Sequence, residues 1–175
     1  SSIVGNSVLV KQMAFPLEYL PVKTMSGPFI FGLVSLTSLI GYALYLTDGE
    51  CAVAYIVGIP PLLIITGVFA TGITLLFSSV QVFVRDFREF VNIFVTVGLF
   101  IHPILYFPGM IPDQVEPLVL LSPFTYLLYC WQDVLFYGEM THHFAWVVTP
   151  VLALVVLLVG SRVFMASKPH FGDFL

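Results

Sequence analysis

The chain has 175 residues, of which 59% are apolar and 9% charged, and its mean hydropathy is +1.03. A soluble domain carries about 25% charged residues, so a soluble globular domain, a disordered chain and a disulfide scaffold are all excluded, and an integral membrane protein built of helices remains. The net charge of −4, from 6 Lys and Arg against 10 Asp and Glu, offers no basic surface to nucleic acid.

Taken in chain order, 1–23 places Lys11, Gln12, Glu18 and Lys23 among Phe15, Leu17, Tyr19 and Leu20, with Pro16 and Pro21 framing a short turn or helix. Such a stretch reads as an interfacial lead-in or as a docking element for a soluble partner. Residues 24–47 and 52–80 are uncharged runs of spanning length. Within the second, Gly67, Ala70, Thr71, Gly72 and Thr74 give a small-residue face suited to close helix packing. The loop 81–89 gathers Arg85, Asp86, Arg88 and Glu89. This is a charge cluster on the cytoplasmic side, or simply a solvated, self-paired helix end. A third span is expected over 90–107 and a last one over 140–161, followed by a tail, 162–175.

Between the last two spans, 108–139 is apolar but broken by Gly109, Pro112, Pro117 and Pro123. Proline ends or kinks a helix and pushes its predecessor out of helical conformation, so two short helices are expected, over 113–121 and 123–137. The uncharged part, 117–132, would reach only about 24 Å at 1.5 Å per residue, short of a hydrocarbon core of about 30 Å. The positive charges decide its path. Lys11 and Lys23, Arg85 and Arg88, and Arg162 and Lys168 all fall on one side if four helices cross and 108–139 returns to its own side. The expected fold is therefore all-α, a single membrane domain over 1–175. It has four spans, both ends of the chain inside, and two short re-entrant helices outside. Non-helical backbone at membrane depth is tolerated against protein or a water-filled path; an aromatic-rich interfacial helix is the other reading.

Chemistry-bearing motifs are sparse. No Gly precedes a Lys, so no P-loop is present, and H-E-x-x-H, G-x-S-x-G and Cys-x-x-Cys patterns are missing as well. Every Asp and Glu is expected at an end or in a loop, which removes the intramembrane carboxylates of a proton-coupled carrier. His102 reads as a proton relay or as a polar residue at a helix mouth. His142 and His143 with Glu139 read as a metal site or as headgroup-level residues. Cys51 and Cys130 both face the outer side and could pair, although two cysteines are too few for a metal cluster. The chain starts without Met on the inner side, as a fragment would.

Several segments, in order, resemble the polysaccharide-export ABC-2 permeases. Residues 9–22, LVKQMAFPLEYLPV, are similar to the loop after that family's second membrane helix, and 84–88, VRDFR, to the loop after its next helix pair. His102-Pro-Ile-Leu-Tyr106 looks like the proline-containing end of its fifth helix. Leu121-Ser-Pro-Phe-Thr125 stands where the family has Asn-Pro, with Ser122 replacing the amide, and 168–175 resembles the tail of O-antigen and capsule exporters. The resemblance implies the C-terminal two-thirds of a six-helix subunit with two helices preceding Ser1. It further implies a homodimer in a bacterial inner membrane, paired with separate ATPase subunits that hold ATP and Mg, so that this chain carries no cofactor and is not itself an enzyme. The cargo implied is a lipid-linked polysaccharide.

By that resemblance Lys11, Phe15, Pro16 and Glu18 belong to the region that couples to the ATPase, and 108–139 to an outer gate. Aromatic faces stack on sugar rings and let them slide; Tyr106, Tyr126, Tyr129 and Trp131 lie in or beside the broken-helix region and are the candidate path residues. Three other readings stand beside this one. They are an ABC-2 exporter of drugs or lipids, an ATP-independent channel or secondary carrier, and a membrane enzyme acting on lipid-linked sugars through Glu139, His142 and His143.

Overall fold

The computed structural model describes residues 19–46, 52–84, 86–104 and 116–171. Helix α1 is Tyr19–Leu46, α2 Ala52–Phe83, α3 Phe87–Ile101, α4 Glu116–Leu120, α5 Pro123–Gln132 and α6 His143–Ser167. A π-turn, Asp133–Tyr137, continues α5, and a single 3-10 turn, Lys168–His170, follows α6. The described residues contain no strand.

Among the described residues three helices are long and apolar enough to cross a membrane. At 1.5 Å per residue the 28 residues of α1, 32 of α2 and 25 of α6 reach about 42, 48 and 37 Å, all beyond a core of about 30 Å. Helix α3 has 15 residues, about 22 Å, so the expected span over 90–107 has the length of a crossing only if helix continues past Ile101. Residues 105–115 lie outside the described residues. Prolines sit inside all three long helices, Pro28, Pro60, Pro61 and Pro150, where apolar packing rather than backbone bonding sets helix stability. Hydroxyls within α2 turn back on their own helix. Thr66 donates to Leu62 O, Thr71 to Gly67 O, Thr74 to Ala70 O and Ser79 to Leu75 O, at 2.6–2.9 Å. Without water, the preceding turn is the nearest acceptor.

Several expected boundaries shift. The lead-in 1–23 is helical from Tyr19, and Pro21 does not frame a turn there: it sits in the first turn of α1, where a missing N–H leaves no bond unmade. The loop 81–89 shrinks to the residues between Phe83 and Phe87, with the Asp86 carbonyl accepting from Glu89 and Phe90 N–H. The tail expected from 162 stays helical through Ser167. The broken segment appears as two pieces, as its prolines require: α4 ends before Ser122, and α5 starts at Pro123 and runs through the π-turn to Tyr137.

The chain forms two compact units. The first comprises Ser1–Thr37, Gly67–Phe90 and Ala153–Leu175. Its core is Leu20, Leu75, Val82, Phe164 and Phe171, with Leu157 against it, and Phe164 meets Phe171 edge-on at 5.5 Å. Here α2 and α6 touch backbone to backbone: a Cβ on Gly160 would lie 2.2 Å from the Gly72 carbonyl oxygen. The second unit comprises Ser38–Thr66 and Val91–Leu152; it contains α4, α5, the π-turn and the polar residues described next.

Candidate functional site

The second unit buries a cluster of polar groups, and each is held by the turn that follows α5. Asp133 is 0% exposed. Its Oδ1 accepts from His142 Nδ1 at 2.7 Å, and its Oδ2 accepts from the His142 backbone N–H and from Trp146 Nε1, both at 2.9 Å. His142 precedes α6, and its carbonyl accepts from Ala145 N–H. The carboxylate therefore caps the start of α6 from another helix, where the helix dipole favours negative charge. Gly138, at φ 69°, makes the reversal that brings the two together, a conformation a side chain would oppose. Tyr129 lies flat on the His142 ring, centroids 4.4 Å apart and planes 12° from parallel.

A cavity of about 90 Å³ opens beside this clasp, lined by Val57, Gly58, Val134, Gly138, Glu139 and Trp146 among others. A Cβ on Gly58 would meet Val134 Cγ2 at 2.6 Å, so glycine there lets α2 receive the π-turn.

A second group of contacts fastens the end of α3 to α5. His102, 6% exposed, contacts the Gly98 carbonyl through Nδ1 at 2.7 Å and Ser122 Oγ through Nε2 at 2.6 Å. A carbonyl only accepts, so Nδ1 carries the proton, and in the neutral ring Nε2 accepts from the hydroxyl. Ser122 thereby supplies the hydrogen bond at the corner where the resemblance expects an amide. It is spent on His102, and no side chain caps α5. Gln132 Nε2 donates to the Pro103 carbonyl at 2.6 Å, while Gln132 Oε1 is buried without a partner among the described residues.

The sequence-predicted residues fall as follows. Lys11, Phe15, Pro16, Glu18, Arg85, Tyr106 and Cys51 lie outside the described residues. Asp86, Arg88 and Glu89 are exposed. Trp131 is half-buried and donates to Thr66 Oγ1 at 3.1 Å. Tyr126 is half-buried against Phe144, centroids 6.0 Å apart, and Tyr129 is 7% exposed beneath His142. Cys130 is a buried free thiol 3.4 Å from the Thr149 hydroxyl. Among the described residues no three His, Cys, Asp or Glu are grouped to hold a metal ion; His142 turns to Asp133 instead of joining Glu139 and His143.

Asp133 corrects the expectation that every acid lies at an end or in a loop. It sits within continuous helical backbone, and its partners are nine and thirteen residues onward. The cue available in the sequence was an acid directly after Trp131-Gln132 and before Val134-Leu-Phe-Tyr137, inside a run otherwise free of charge.

No family model matches the chain. Two curated relatives do, both O-antigen export system permease proteins RfbA from Klebsiella pneumoniae, each 22% identical over 174 residues, 99% of this chain and 66% of the relative. Over almost its whole length the chain is similar to these permeases. It spans about two-thirds of the length of these permeases. The buried contacts of the Asp133 clasp and of the His102 corner brace helices within the second unit.

Proposed function

We propose that the chain is the membrane-spanning part of an ABC permease that exports a lipid-linked polysaccharide across a bacterial inner membrane. The observation that carries this reading is similarity to O-antigen export permeases over 99% of the chain. It is supported by three long apolar helices among the described residues and by the position of all six Lys and Arg at the same-side ends of the uncharged runs. In this reading 90–107 completes a fourth crossing and α4, α5 and the π-turn re-enter from the outer side. The N-terminal end of the chain and its C-terminus face the cytoplasm. Two copies of the permease pair with separate ATPase subunits, which bind ATP and Mg. Lys11, Phe15, Pro16 and Glu18 dock on the ATPase, and Arg85, Asp86, Arg88 and Glu89 form a charge cluster on the cytoplasmic side. Tyr106, Tyr126, Tyr129 and Trp131 flank the glycan path.

The test is a mild-detergent pull-down of the tagged full-length protein with mass spectrometry of its stoichiometric partners. A soluble P-loop subunit recovered at about one per permease is the expected result, and Glu18→Lys should weaken its recovery. Recovery of the protein alone, or with membrane proteins only, would turn the reading toward a channel or carrier. Cargo is tested separately: loss of the permease should leave completed lipid-linked glycan inside the cell, whereas an exporter of drugs or lipids would leave it unaffected.

A further inference from the structure

Six observations meet at the end of α5. The Asp133 N–H is shared between the carbonyls of Cys130 and Tyr129, two hydrogen-bond registers at once. The next turn, Asp133–Tyr137, then winds as a π-helix. A π-turn is an insertion into α register, rare in general and frequent where a helix works. It ends on Gly138 at φ 69°, a pivot available because no Cβ obstructs it. Immediately before it, the Gln132 side chain is 8% exposed and its Oε1 meets no donor among the described residues, so the local arrangement leaves one buried acceptor unsatisfied. The wider turn presses Val134 against α2, where only glycine at 58 leaves room. Beside that contact lies the cavity lined by Gly58, Val134, Gly138 and Trp146.

We propose that Asp133–Tyr137 is a two-state element, seated here as a π-turn and able to tighten to α register. The seated state is held by the Asp133 clasp on His142 and Trp146, by Val134 on Gly58, and by the Tyr55 hydroxyl on the Leu135 carbonyl at 3.3 Å. Tightening draws Val134 away from Gly58 and turns the side chains beyond it by about 100°, one residue at 3.6 residues per turn. Phe136 and Tyr137, 63% and 41% exposed, are the side chains that swing. The cavity and Gly138 give the motion its room and its hinge. Its consequence for export rests on the function proposed above; the motion itself does not.

The experiment uses the full-length permease in native membranes, with Cys51→Ser throughout. Val134, 5% exposed, is replaced by Cys and its labelling by a maleimide is timed, in a Cys130→Ser background. Adding Asp133→Asn weakens the clasp and should speed labelling at least tenfold. In a parallel variant retaining Cys130, which is 1% exposed, that thiol should stay slow, because α5 itself remains folded. Unchanged labelling at 134, or equal acceleration at 130, overturns the switch. Separately, Gly58→Cys with Val134→Cys places thiols where a Cβ on Gly58 lies 3.4 Å from the Val134 Cβ, within disulfide reach. The closed disulfide should lower glycan export at least tenfold, with recovery on reduction. Full export with the bond closed, or failure of the bond to form, overturns the proposal, and this arm decides if Asp133→Asn does not accumulate. Absence of export from the wild type would count against the function proposed above, leaving labelling to judge the switch.

Discussion

The contact between Gly72 on α2 and Gly160 on α6 makes a prediction whose sign changes over little more than one helical turn. A Cβ added at Gly160 would stand 2.2 Å from the Gly72 carbonyl oxygen, and one added at Gly72 would stand 2.6 Å from the Leu157 backbone nitrogen. Carbon–oxygen contacts settle near about 3.3–3.6 Å, so Gly160→Ala must part the two backbones by about 1 Å. The obstacle is backbone in both cases and cannot rotate aside. Overpacking of this kind costs about 1–3 kcal/mol and sometimes more, while removing a glycine from a helix interior returns about 0.5–1 kcal/mol. Each substitution should therefore destabilise by about 1–2 kcal/mol, roughly five- to thirtyfold in the folded-to-unfolded ratio at 1.4 kcal/mol per factor of ten. At Gly67 the nearest atom to a new Cβ is 3.9 Å away, on Phe29, so Gly67→Ala should be neutral or stabilising by about 0.5 kcal/mol. The assay is unfolding of the purified full-length protein by SDS in mixed micelles, followed by circular dichroism. Because Gly72 and Gly160 share one contact, their double substitution should cost less than the sum. Equal stability of Gly67→Ala, Gly72→Ala and Gly160→Ala would refute the close approach.

Three further outcomes follow from single contacts in the second unit. Ser122→Ala removes the hydroxyl partner of His102 Nε2 and should cost about 1 kcal/mol, with no additional loss when His102→Ala is already present; additive losses would dissolve the pair. Trp131→Phe and Thr66→Val each break the 3.1 Å bond between them, so a double-mutant cycle should return a coupling of about 1 kcal/mol, and none if Trp131 faces elsewhere. Cys130 is 1% exposed beside Thr149; it should resist maleimide in the folded protein and react on SDS unfolding, and rapid labelling in native membranes would contradict the packing of α5.

Helix existence was legible from apolar length, and helix ends were not. Charge marks where a chain meets water, which is a different boundary from where a helix stops. Arg162 interrupts the apolar run of α6, yet backbone bonding continues to Ser167 because nothing before Pro169 opposes it. Lys23 likewise sits inside α1 rather than ahead of it, since Pro21 is harmless in a first turn and Leu20 and Pro21 are buried in the first unit. The proline-broken segment was legible in more detail, because Pro123 opens α5 and holds the residue before it, Ser122, in extended backbone at φ −80° and ψ 129°. The division at Ser122, with α4 before it and α5 after it, is of that kind.

Asp133 was illegible for the opposite reason: everything that makes it possible is remote. A rule that sends carboxylates to loops is a statement about desolvation, and desolvation is offset only by donors. The three donors come from His142 and Trp146, at spacings that match neither a helix face nor a strand. They converge because Gly138 takes a positive φ and because the π-turn re-aims the backbone ahead of it. The same locality argument explains why Tyr129 could be placed near the broken-helix region but not under an imidazole. Sequence position puts an aromatic on a segment; whether it stacks on His142 or faces a path depends on that turn. A buried carboxylate in a chain this poor in charge is thus the residue whose partners most strongly constrain how α5 meets α6, and the Asp133→Asn measurement bears on the fold and on its motion together.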